Sequence, residues 1–458
     1  MPKKLIRDKI KDEIYENADG VDCWHACKML DESACKVAEA FDDKKLKGWL
    51  MNYSKNQKIR NVIGKMMCNI KTHKDPGEVS VRLIHSSVGN PGAALSSLIS
   101  KICRWKIKDL KHIYQNTGEF LEKLHALDGK LPANVIVWTA DIGDFYLSGK
   151  HSELISSSFK HVEDYTQRKA LEDALENLLY YQFVESSFAQ SGVLRVRKGT
   201  GMGSRHSGEV SDLGFFECVE KDLIKQEVLD AHKILLYGRY RDDIIVIEED
   251  KEHLFGKDSW YQMFCKKAGE HGYVIEMEQM LVGCFTSVHY LDLWIHKTSK
   301  LVTEGKLEYD LYTKDTAQKI PLGRLSAHTE STHNFWPLTE IRRYKERCAR
   351  KVWFDKARND FCAKLNKEMF PTEYVKKLKE MDYEDIGKRT GKAPENNENN
   401  PKPIYWVLPY HPNVKKMRLD KIANEVLKEY GEEYNYKISI AWSKRHQALG
   451  DEMRALVQ

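Results

Sequence analysis

The chain has 458 residues, of which 41% are hydrophobic and 31% charged, a composition typical of a globular protein with a large buried core. No run approaches the roughly 20 apolar residues that a membrane span requires, which argues against a membrane protein. The formal net charge is only +5, so overall charge is weak support for a nucleic-acid partner and the local distribution of charge matters more.

The opening segment, MPKKLIRDKIKDEIYE, alternates charged residues with single apolar ones. It lacks the continuous apolar stretch of a secretory signal, so we expect an intracellular protein, with nucleus and cytoplasm both open. The ten cysteines are scattered over the chain, which is typical of free thiols in a reducing compartment.

Helical and basic segments fill the first third of the chain. Residues 1–70 are predicted to form charged helices with single buried faces. Residues 71–103 form a basic segment punctuated by Gly and Pro, followed by a helix of small residues, and 104–130 are again rich in helix signals. The run VIVWTAD, at 135–141, is a clear strand signal.

Further strands and helices follow in the second half of the chain. Helices are predicted over 151–187 and 205–228, and the runs KILLYGRY and RDDIIVIEE predict a hairpin with acidic residues at its tip. Residues 258–270 look helical, YVIEMEQ and VHYLDLWIHK look like strands, and 336–358 is predicted to be one strongly basic helix. The polar segment EDIGKRTGKAPENNENNPKP has the composition of a linker or an exposed loop.

Three carboxylates stand at predicted strand ends. Asp141 closes an apolar strand, and Asp242 and Asp243 lie where one buried strand turns into the next. An unpaired buried carboxylate is costly, and a bound cation would remove that cost. Oxygen ligands favour Mg²⁺ or Mn²⁺, and two such ions about 3.5–4 Å apart perform phosphoryl transfer. An Asp-Asp pair alone is usually an ordinary solvated turn. The neighbouring motifs therefore decide between a simple turn and a metal site.

The neighbouring motifs resemble the conserved motifs of reverse transcriptases. TADIGDFYLS, at 139–148, is similar to their first catalytic motif, and RYRDDIIVI, at 239–247, to their second. The Arg-Tyr-x-Asp-Asp form resembles that of Penelope-like retroelements. KGTGMGSRHSGEVSDL, at 198–213, resembles the Gly-rich template-positioning motif of the same group.

Flanking segments resemble the same family in matching order. KTHK and VRLIHSSVGNP are similar to its fingers segment, and YLDLWI to its primer-grip hairpin. YDLYTK with LSAHTESTH resembles its thumb entry, and VLPYHP one of its late motifs. The similarity runs from about residue 65 into the C-terminal region, and this ordered series is far more specific than any one motif.

The resemblance implies an α+β protein with the right-hand polymerase fold, in which an antiparallel palm sheet packs on helices. The implied domains are an N-terminal helical extension at 1–70, fingers at 71–134, a palm at 135–310 with a helical fingers insertion at about 151–197, a thumb at 311–383, a linker or loop at 384–403, and a C-terminal thumb-associated unit at 404–458.

The resemblance also implies an active site for RNA-directed DNA synthesis. Asp141, Asp242 and Asp243 would be catalytic and would bind two Mg²⁺ or Mn²⁺ ions together with Ile142. The expected nucleotide-binding residues are Lys71, Lys74, Arg82, Tyr146 and Gly201. The expected template-primer contacts are Gly203, Ser204, Tyr240, Arg241, Arg342, Arg343 and Arg347, the last three within the basic helix. The partners would be an RNA template, a DNA or RNA primer and deoxyribonucleoside triphosphates, and a bound element RNA is left open.

Tyr146 favours DNA synthesis over RNA synthesis. By the resemblance it would be a steric gate that excludes the ribose 2′-hydroxyl, whereas RNA polymerases of this palm class place a polar group there. A viral-type RNA-directed RNA polymerase is the first alternative, and Tyr146 and Arg241 argue against it. A non-catalytic nucleic-acid-binding relative is the second, and it would be expected to have lost a metal carboxylate. The sequence shows neither the GIY-YIG endonuclease common in Penelope-like elements nor a ribonuclease H unit.

Overall fold

The structure is a computed structural model, and the chain divides into two units by its internal contacts. One unit comprises Met1–Glu308 and Tyr312–Ala317, and the other Tyr309–Leu311 and Gln318–Gln458. The residues that the structure describes are 6, 8–55, 61–71, 80–187, 189–190, 192–249, 259–281, 286–314, 320–326, 328, 330–381, 383, 402–409, 417–429 and 436–443.

The first unit combines helices with strands that pair mainly antiparallel. Its strands are β1 (Tyr15–Asn17), β2 (Ile63–Lys71), β3 (Ser80–His85), β4 (Val135–Gly143), β5 (Phe183–Glu185), β6 (Val193–Val196), β7 (Ile234–Tyr240), β8 (Asp243–Glu249), β9 (Val274–Leu281), β10 (Ser287–Tyr290) and β11 (Leu293–His296), and β12 (Glu308–Leu311) crosses the division between the units. Its helices are α1 (Cys23–Ala40), α2 (Lys44–Lys55), α3 (Ala93–Ile107), α4 (Thr117–His125), α5 (His151–Ser158), α6 (Tyr165–Tyr180), α7 (Ser207–Phe215), α8 (Lys221–Leu223), α9 (Gln226–Ala231), α10 (Trp260–Glu270) and α11 (Ser299–Glu304).

A four-stranded antiparallel sheet carries the predicted acidic residues. Its strand order is β7-β8-β4-β9, so β4 lies between β8 and β9. Trp138 of β4 and Val246 of β8 pack against Phe215 at the end of α7 and Phe264 of α10 in one buried cluster. The strand predicted at 135–141 and the hairpin of β7 and β8 are present. The predicted α+β class, with an antiparallel sheet packed on helices, is confirmed.

A second sheet includes strands that the sequence did not indicate. Its order is β1-β6-β5-β2-β3, and β2 pairs parallel with β5. The predicted helical segment 1–70 therefore also contributes β1 and most of β2, and the helices predicted over 151–187 end at Tyr180, before β5. Strands β5 and β6 have only three and four residues, and besides pairing with each other they pair with β2 and β1, which are distant in sequence, so local patterns do not reveal them.

Helices α1, α3, α5, α6 and α7 form the main helical layer of the first unit. Side chains from all five meet in one buried cluster that includes Leu30, Ile99, Leu154, Leu175 and Val210. Capping side chains define where some helices begin: Asp22 accepts from the backbone N–H of His25, Asp164 from that of Gln167, and Ser259 from that of Gln262.

The second unit contains a helical core and a small sheet. Its helices are α12 (Glu330–Glu346), α13 (Lys351–Lys367), α14 (Thr372–Lys379) and α15 (Leu419–Glu429), and its parallel strands are β13 (Lys402–Pro409) and β14 (Tyr436–Ser443). Ile341, Phe354, Phe361 and Leu365 form the centre of the helical core. No helix in the described part of either unit is long and apolar enough to cross a bilayer.

The single basic helix predicted at 336–358 is wrong. The chain forms α12 and α13 instead, separated by residues 347–350. Arg350 adopts an extended conformation (φ −123°, ψ 141°) immediately before α13, and the N–H of Ala349 donates to the Tyr309 carbonyl at 2.8 Å. This break depends on tertiary hydrogen bonding and burial of Cys348, which the charge pattern does not show.

Candidate active site

Three carboxylates meet at one end of the four-stranded sheet β7-β8-β4-β9. Asp141, near the end of β4, lies directly opposite Asp243, the first residue of β8. The backbone N–H of Ile142 donates to the Asp242 carbonyl at 3.0 Å. Carboxylate oxygens of Asp141, Asp242 and Asp243 lie within 4.8 Å of one another. The structure thus brings together acidic residues that are about a hundred positions apart in the chain.

The turn between β7 and β8 places two of these carboxylates. Arg241 and Asp242 form a two-residue loop, because Tyr240 pairs with Asp243 across the hairpin. Arg241 has a φ of +56°, as the first loop residue of a tight hairpin requires. Its guanidinium hydrogen-bonds to Asp212 and lies 3.3 Å from Glu209, so the turn is bound to α7.

A buried ionic network supports this hairpin. Arg239 is fully buried and donates to both oxygens of Glu220, at 2.7 and 3.0 Å, and to Asp212 at 2.7 Å. Arg104 donates to Glu209 at 2.9 Å. Three guanidinium groups, those of Arg104, Arg239 and Arg241, therefore face three carboxylates of α7 and the π-helix Phe216–Glu220 that continues it.

In this network, ion pairing offsets the cost of burying the Glu220 carboxylate. Burial opposes the ionisation of Glu220, yet Arg239 and His112 together hold the pKa of this carboxyl well below its ordinary value. Tyr237 also donates to Glu220, at 2.5 Å. Since a buried charge is tolerated only when it is paired and hydrogen-bonded, these contacts explain how an arginine is accommodated inside the sheet.

The carboxylates border a cavity of about 260 Å³. Residues lining this cavity, which we call the carboxylate cavity, include Lys9, Arg82, Asp141, Ile142, Asp144, Tyr146, Met202, Asp242, Asp243, Glu276, Glu278, His289 and Lys314. Six acidic side chains and three basic ones thus share one concave surface, a composition suited to a ligand that carries both cations and phosphates.

Negative charge accumulates at the centre of the carboxylate cavity. Burial raises the pKa of Asp243 to about 7, and the neighbouring carboxylates of Asp242 and Asp141 add to the shift. A divalent cation on the three carboxylates would neutralise this charge, and oxygen donors are the ligands that Mg²⁺ and Mn²⁺ prefer. The donor set therefore fits the metals that the sequence predicts.

Tyr146 lies beside the carboxylates. It follows β4 in the 3₁₀ turn Phe145–Leu147 and lines the carboxylate cavity. Burial raises its pKa to about 12, so the phenol is neutral at physiological pH. Its backbone carbonyl accepts from Thr200 at 2.9 Å and from Gly201 at 2.8 Å, which binds the Gly-rich loop to the same turn.

The Gly-rich loop is packed tightly against β3. Gly201 and Gly203 both have positive φ, +66° and +134°. A Cβ at Gly201 would collide with the side chains of His85 and Gln182, and one at Gly203 with the His85 backbone carbonyl. The His85 N–H donates to the Met202 carbonyl at 2.7 Å. Close backbone packing therefore requires glycine here, while the predicted nucleotide contact of Gly201 and template contact of Gly203 stay predictions.

Of the three predicted phosphate-binding cations, the structure describes the side chain of Arg82 alone. Arg82 lies on β3, is exposed and lines the carboxylate cavity. Lys71 is the last residue of β2, but its side chain lies outside the described residues, as does the whole of Lys74.

The predicted template-primer residues lie in both units. In the first, Ser204 is half-buried, its carbonyl accepting from the Ser207 N–H at 3.3 Å, and Tyr240 ends β7. In the second, Arg342 is exposed on α12, whereas Arg343 donates to Glu340 at 2.5 Å and Arg347 is buried near Glu346. Their contacts with nucleic acid stay predictions.

Sequence patterns did not indicate Lys9, His289 or Lys314. Lys9 donates to both oxygens of Asp144, at 2.8 and 2.9 Å, over a separation of 135 residues. His289 stacks on Tyr312 with a ring-centroid distance of 4.4 Å. Isolated lysines and histidines at such separations carry no local signal. Arg239 was also missed, although it opens the RYRDD motif.

Comparison with known proteins gives distant structural similarities. Telomerase from Candida albicans, solved with a TWJ fragment of telomeric RNA, is 13% identical, with a TM-score of 0.49 over 73% of this chain and 61% of that one. Apo telomerase from Candida tropicalis is 14% identical, with a TM-score of 0.42 over 72% of this chain and 64% of that one. The chain thus spans about three fifths of the length of these telomerases. No protein-family model matches the sequence, and no curated protein is significantly similar to it.

Proposed function

We propose that the chain is an RNA-directed DNA polymerase, a reverse transcriptase that extends a primer 3′-hydroxyl on an RNA template. The observation that supports this most strongly is the convergence of Asp141, Asp242 and Asp243 beside Tyr146 in one cavity. Metal carboxylates alone would suit many phosphoryl-transfer enzymes. An aromatic residue next to them, within motifs that resemble reverse transcriptases in order, favours this class.

The three aspartates and Ile142 would hold two Mg²⁺ or Mn²⁺ ions. When bound, such ions activate the primer 3′-hydroxyl and neutralise charge on the leaving pyrophosphate. The side chains of Arg82, Lys9 and Lys314 line the same cavity and would offset the charge of a deoxyribonucleoside triphosphate. Lys71 and Lys74 are proposed to join them from the fingers segment.

Tyr146 would select the sugar. Its ring lines the carboxylate cavity, next to the carboxylates that would hold the incoming nucleotide through metal. An aromatic ring at this position would collide with a ribose 2′-hydroxyl and would admit deoxyribose. The same residue argues against the alternative of an RNA-directed RNA polymerase, which needs a polar group to bind that hydroxyl.

The remaining predicted residues would hold the template and the primer, which is DNA or RNA. Gly203, Ser204, Tyr240 and Arg241 would lie along the template-primer in the first unit, and the cations Arg342, Arg343 and Arg347 would contact its phosphates from the second. We propose that the two units correspond to the fingers and palm, and to the thumb, of a right-hand polymerase. The ordered motifs support a relationship with Penelope-like retroelement enzymes.

A primer-extension assay tests the proposal. The full chain is offered an RNA template annealed to a DNA primer, with Mg²⁺ or Mn²⁺ and with either deoxyribonucleotides or ribonucleotides. We expect extension with deoxyribonucleotides and none above background with Asp242→Asn, which keeps the size of the side chain but removes its charge. Asp230→Asn, on the exposed face of α9, is the matched control and should retain full activity.

The outcomes separate the candidate functions. Extension only with ribonucleotides would support the RNA polymerase instead. Duplex binding without extension under any of these conditions would support a non-catalytic nucleic-acid-binding protein. Equal extension by wild type and Asp242→Asn would contradict the metal assignment.

A further inference from the structure

A second group of metal-ligand side chains lies outside the carboxylate cavity. Glu153, Cys218 and His271 offer a carboxylate oxygen, a thiol sulfur and an imidazole nitrogen that lie within 4.8 Å of one another. None of the three lines the carboxylate cavity. We call them the Glu-Cys-His cluster.

Three separate elements of the first unit provide these residues. Glu153 lies in the first turn of α5, Cys218 at the centre of the π-helix Phe216–Glu220, and His271 in the turn that follows α10. That turn is held by hydrogen bonds to the Ala268 carbonyl from the N–H groups of His271, at 3.1 Å, and Tyr273, at 3.0 Å. A π-helical turn within an α-helical segment is often found at functional sites.

Two members of the cluster have polar atoms that make no hydrogen bond within the described structure. Oε2 of Glu153 is buried and has no hydrogen-bond partner among the described residues. Nδ1 of His271 lies 3.2 Å from Oε1 of Glu153 but, within the described structure, makes no hydrogen bond. Nζ of Lys150 lies 3.5 Å from Oε1 of Glu153. Because buried polar atoms are nearly always paired, the unpartnered Glu153 oxygen beside His271 and Cys218 indicates a further partner at this cluster.

We propose that Glu153, Cys218 and His271 bind a zinc ion. Zinc takes cysteine sulfur, histidine nitrogen and carboxylate oxygen, and three protein ligands leave a fourth position for water. A site that includes a thiolate selects against Mg²⁺, which prefers oxygen ligands alone. Glu153 and His271 retain 25% and 22% exposure of their side chains, so an ion can enter from solvent.

The cluster lies where a bound zinc ion would connect three elements of the first unit. Zinc would tie α5 to the π-helix and to the turn that leads into β9. His151, two residues before Glu153, lies with Nε2 2.9 Å from the Gly199 carbonyl in the Gly-rich loop. β9 carries Glu276 and Glu278 of the carboxylate cavity. The ion would therefore stabilise elements that border the carboxylate cavity without touching the cavity itself.

Metal binding to the full chain tests this proposal. The protein is stripped with a chelator and titrated with zinc against a chromophoric competitor, in the Asp242→Asn background, which removes one carboxylate from the carboxylate cavity and so weakens zinc binding there. We expect one zinc ion to bind per chain. Cys218→Ser or His271→Gln should weaken the affinity for zinc at least roughly 100-fold. Cys265→Ser, a half-buried cysteine of α10, is the matched control and should bind as tightly as the parent.

Two further measurements distinguish a site from a folding defect. Cobalt in place of zinc should give a sulfur-to-metal charge-transfer band that Cys218→Ser abolishes and Glu153→Gln retains at higher cobalt concentration. Zinc should raise the unfolding temperature of the parent by a few degrees and leave that of Cys218→Ser unchanged. Zinc binding by Cys218→Ser equal to that of the parent, a cobalt spectrum without the thiolate band, or no stoichiometric zinc in the folded parent would each overturn the proposal.

Discussion

At the scale of single residues, the proposed selection of the sugar depends on Tyr146. We expect Tyr146→Val to raise ribonucleotide incorporation relative to deoxyribonucleotide incorporation by roughly 10- to 100-fold, because the shorter side chain leaves room for the 2′-hydroxyl. The measurement is the ratio of kcat/KM for the two substrates. Tyr146→Phe is the control, since it keeps the ring and should keep the discrimination. Unchanged discrimination in Tyr146→Val would show that another residue selects the sugar.

We expect Asp243 to make the proposed metal binding depend on pH. In the metal-free protein its pKa is raised to about 7, mainly by burial, from an ordinary value of 3.8. Folding stabilises the protonated form, so the stability of the metal-free protein should fall as pH rises from about 4 to above 7. Metal binding needs the carboxylate and releases the proton, so affinity should rise by up to about tenfold per pH unit until about pH 7 and then level off.

Calorimetric titration with Mn²⁺ at several pH values, in buffers of different ionisation heat, measures both the affinity and the protons released. Asp243→Asn should bind the metal more weakly and lose most of this pH dependence. A wild-type affinity that is constant between pH 5.5 and pH 8 would contradict the assignment of Asp243 as a ligand.

Some residues of the site could be predicted from the sequence and others could not. Asp141, Asp242 and Asp243 were identifiable because each lies at the end of an apolar run within a longer motif, and the structure brings them together. Lys9 could not be identified, because its contact with Asp144 joins positions 135 residues apart.

At the scale of elements, the β7–β8 hairpin depends on Arg239. Replacing this buried arginine by methionine would leave Glu220 and Asp212 inside the protein without their main partner. We expect Arg239→Met to lower the free energy of unfolding by about 3–5 kcal/mol. Denaturant unfolding measures this change. Lys47→Met, which removes a half-exposed cation paired with Glu39, should have no measurable effect. A similar stability for both variants would contradict the role given to the buried network.

The Gly-rich loop provides a second prediction at this scale. Gly203→Ala should displace the loop from β3, because a Cβ would collide with the His85 carbonyl at a φ of +134°. We expect strain of about 1–3 kcal/mol and a loss of primer extension with metal binding retained. Gly20→Ala is the matched control: its φ is also positive, at +66°, but nothing lies within 4 Å of the added methyl group. Full activity of Gly203→Ala would show that the loop tolerates displacement.

Local patterns predicted elements well where a hydrophobic period extends over a long run. The strand at β4 and the hairpin of β7 and β8 follow from continuous apolar runs. The short strand β5 and the break between α12 and α13 did not, because partners distant in sequence determine them. The charge pattern of 336–358 continues across the break and so indicated one helix.

At the scale of the whole molecule, the α+β class was predictable because hydrophobic residues recur with different periods in the antiparallel strands and in the helices that cover them. The proposed boundaries of fingers, palm and thumb rest on the order of the motifs. Contacts within the chain divide it at Glu308–Tyr312. The palm-thumb boundary at 310 and 311 stays a prediction. The predicted linker at 384–403 lies almost wholly outside the described residues.

The most direct test of the account is the position of metal in a crystal of the full chain with an RNA-template, DNA-primer duplex and a non-hydrolysable deoxyribonucleotide. Anomalous scattering from Mn²⁺ should show two ions about 3.5–4 Å apart, bound by Asp141 together with Asp242 or Asp243. Manganese bound elsewhere, with none on these three carboxylates, would contradict the proposed polymerase mechanism.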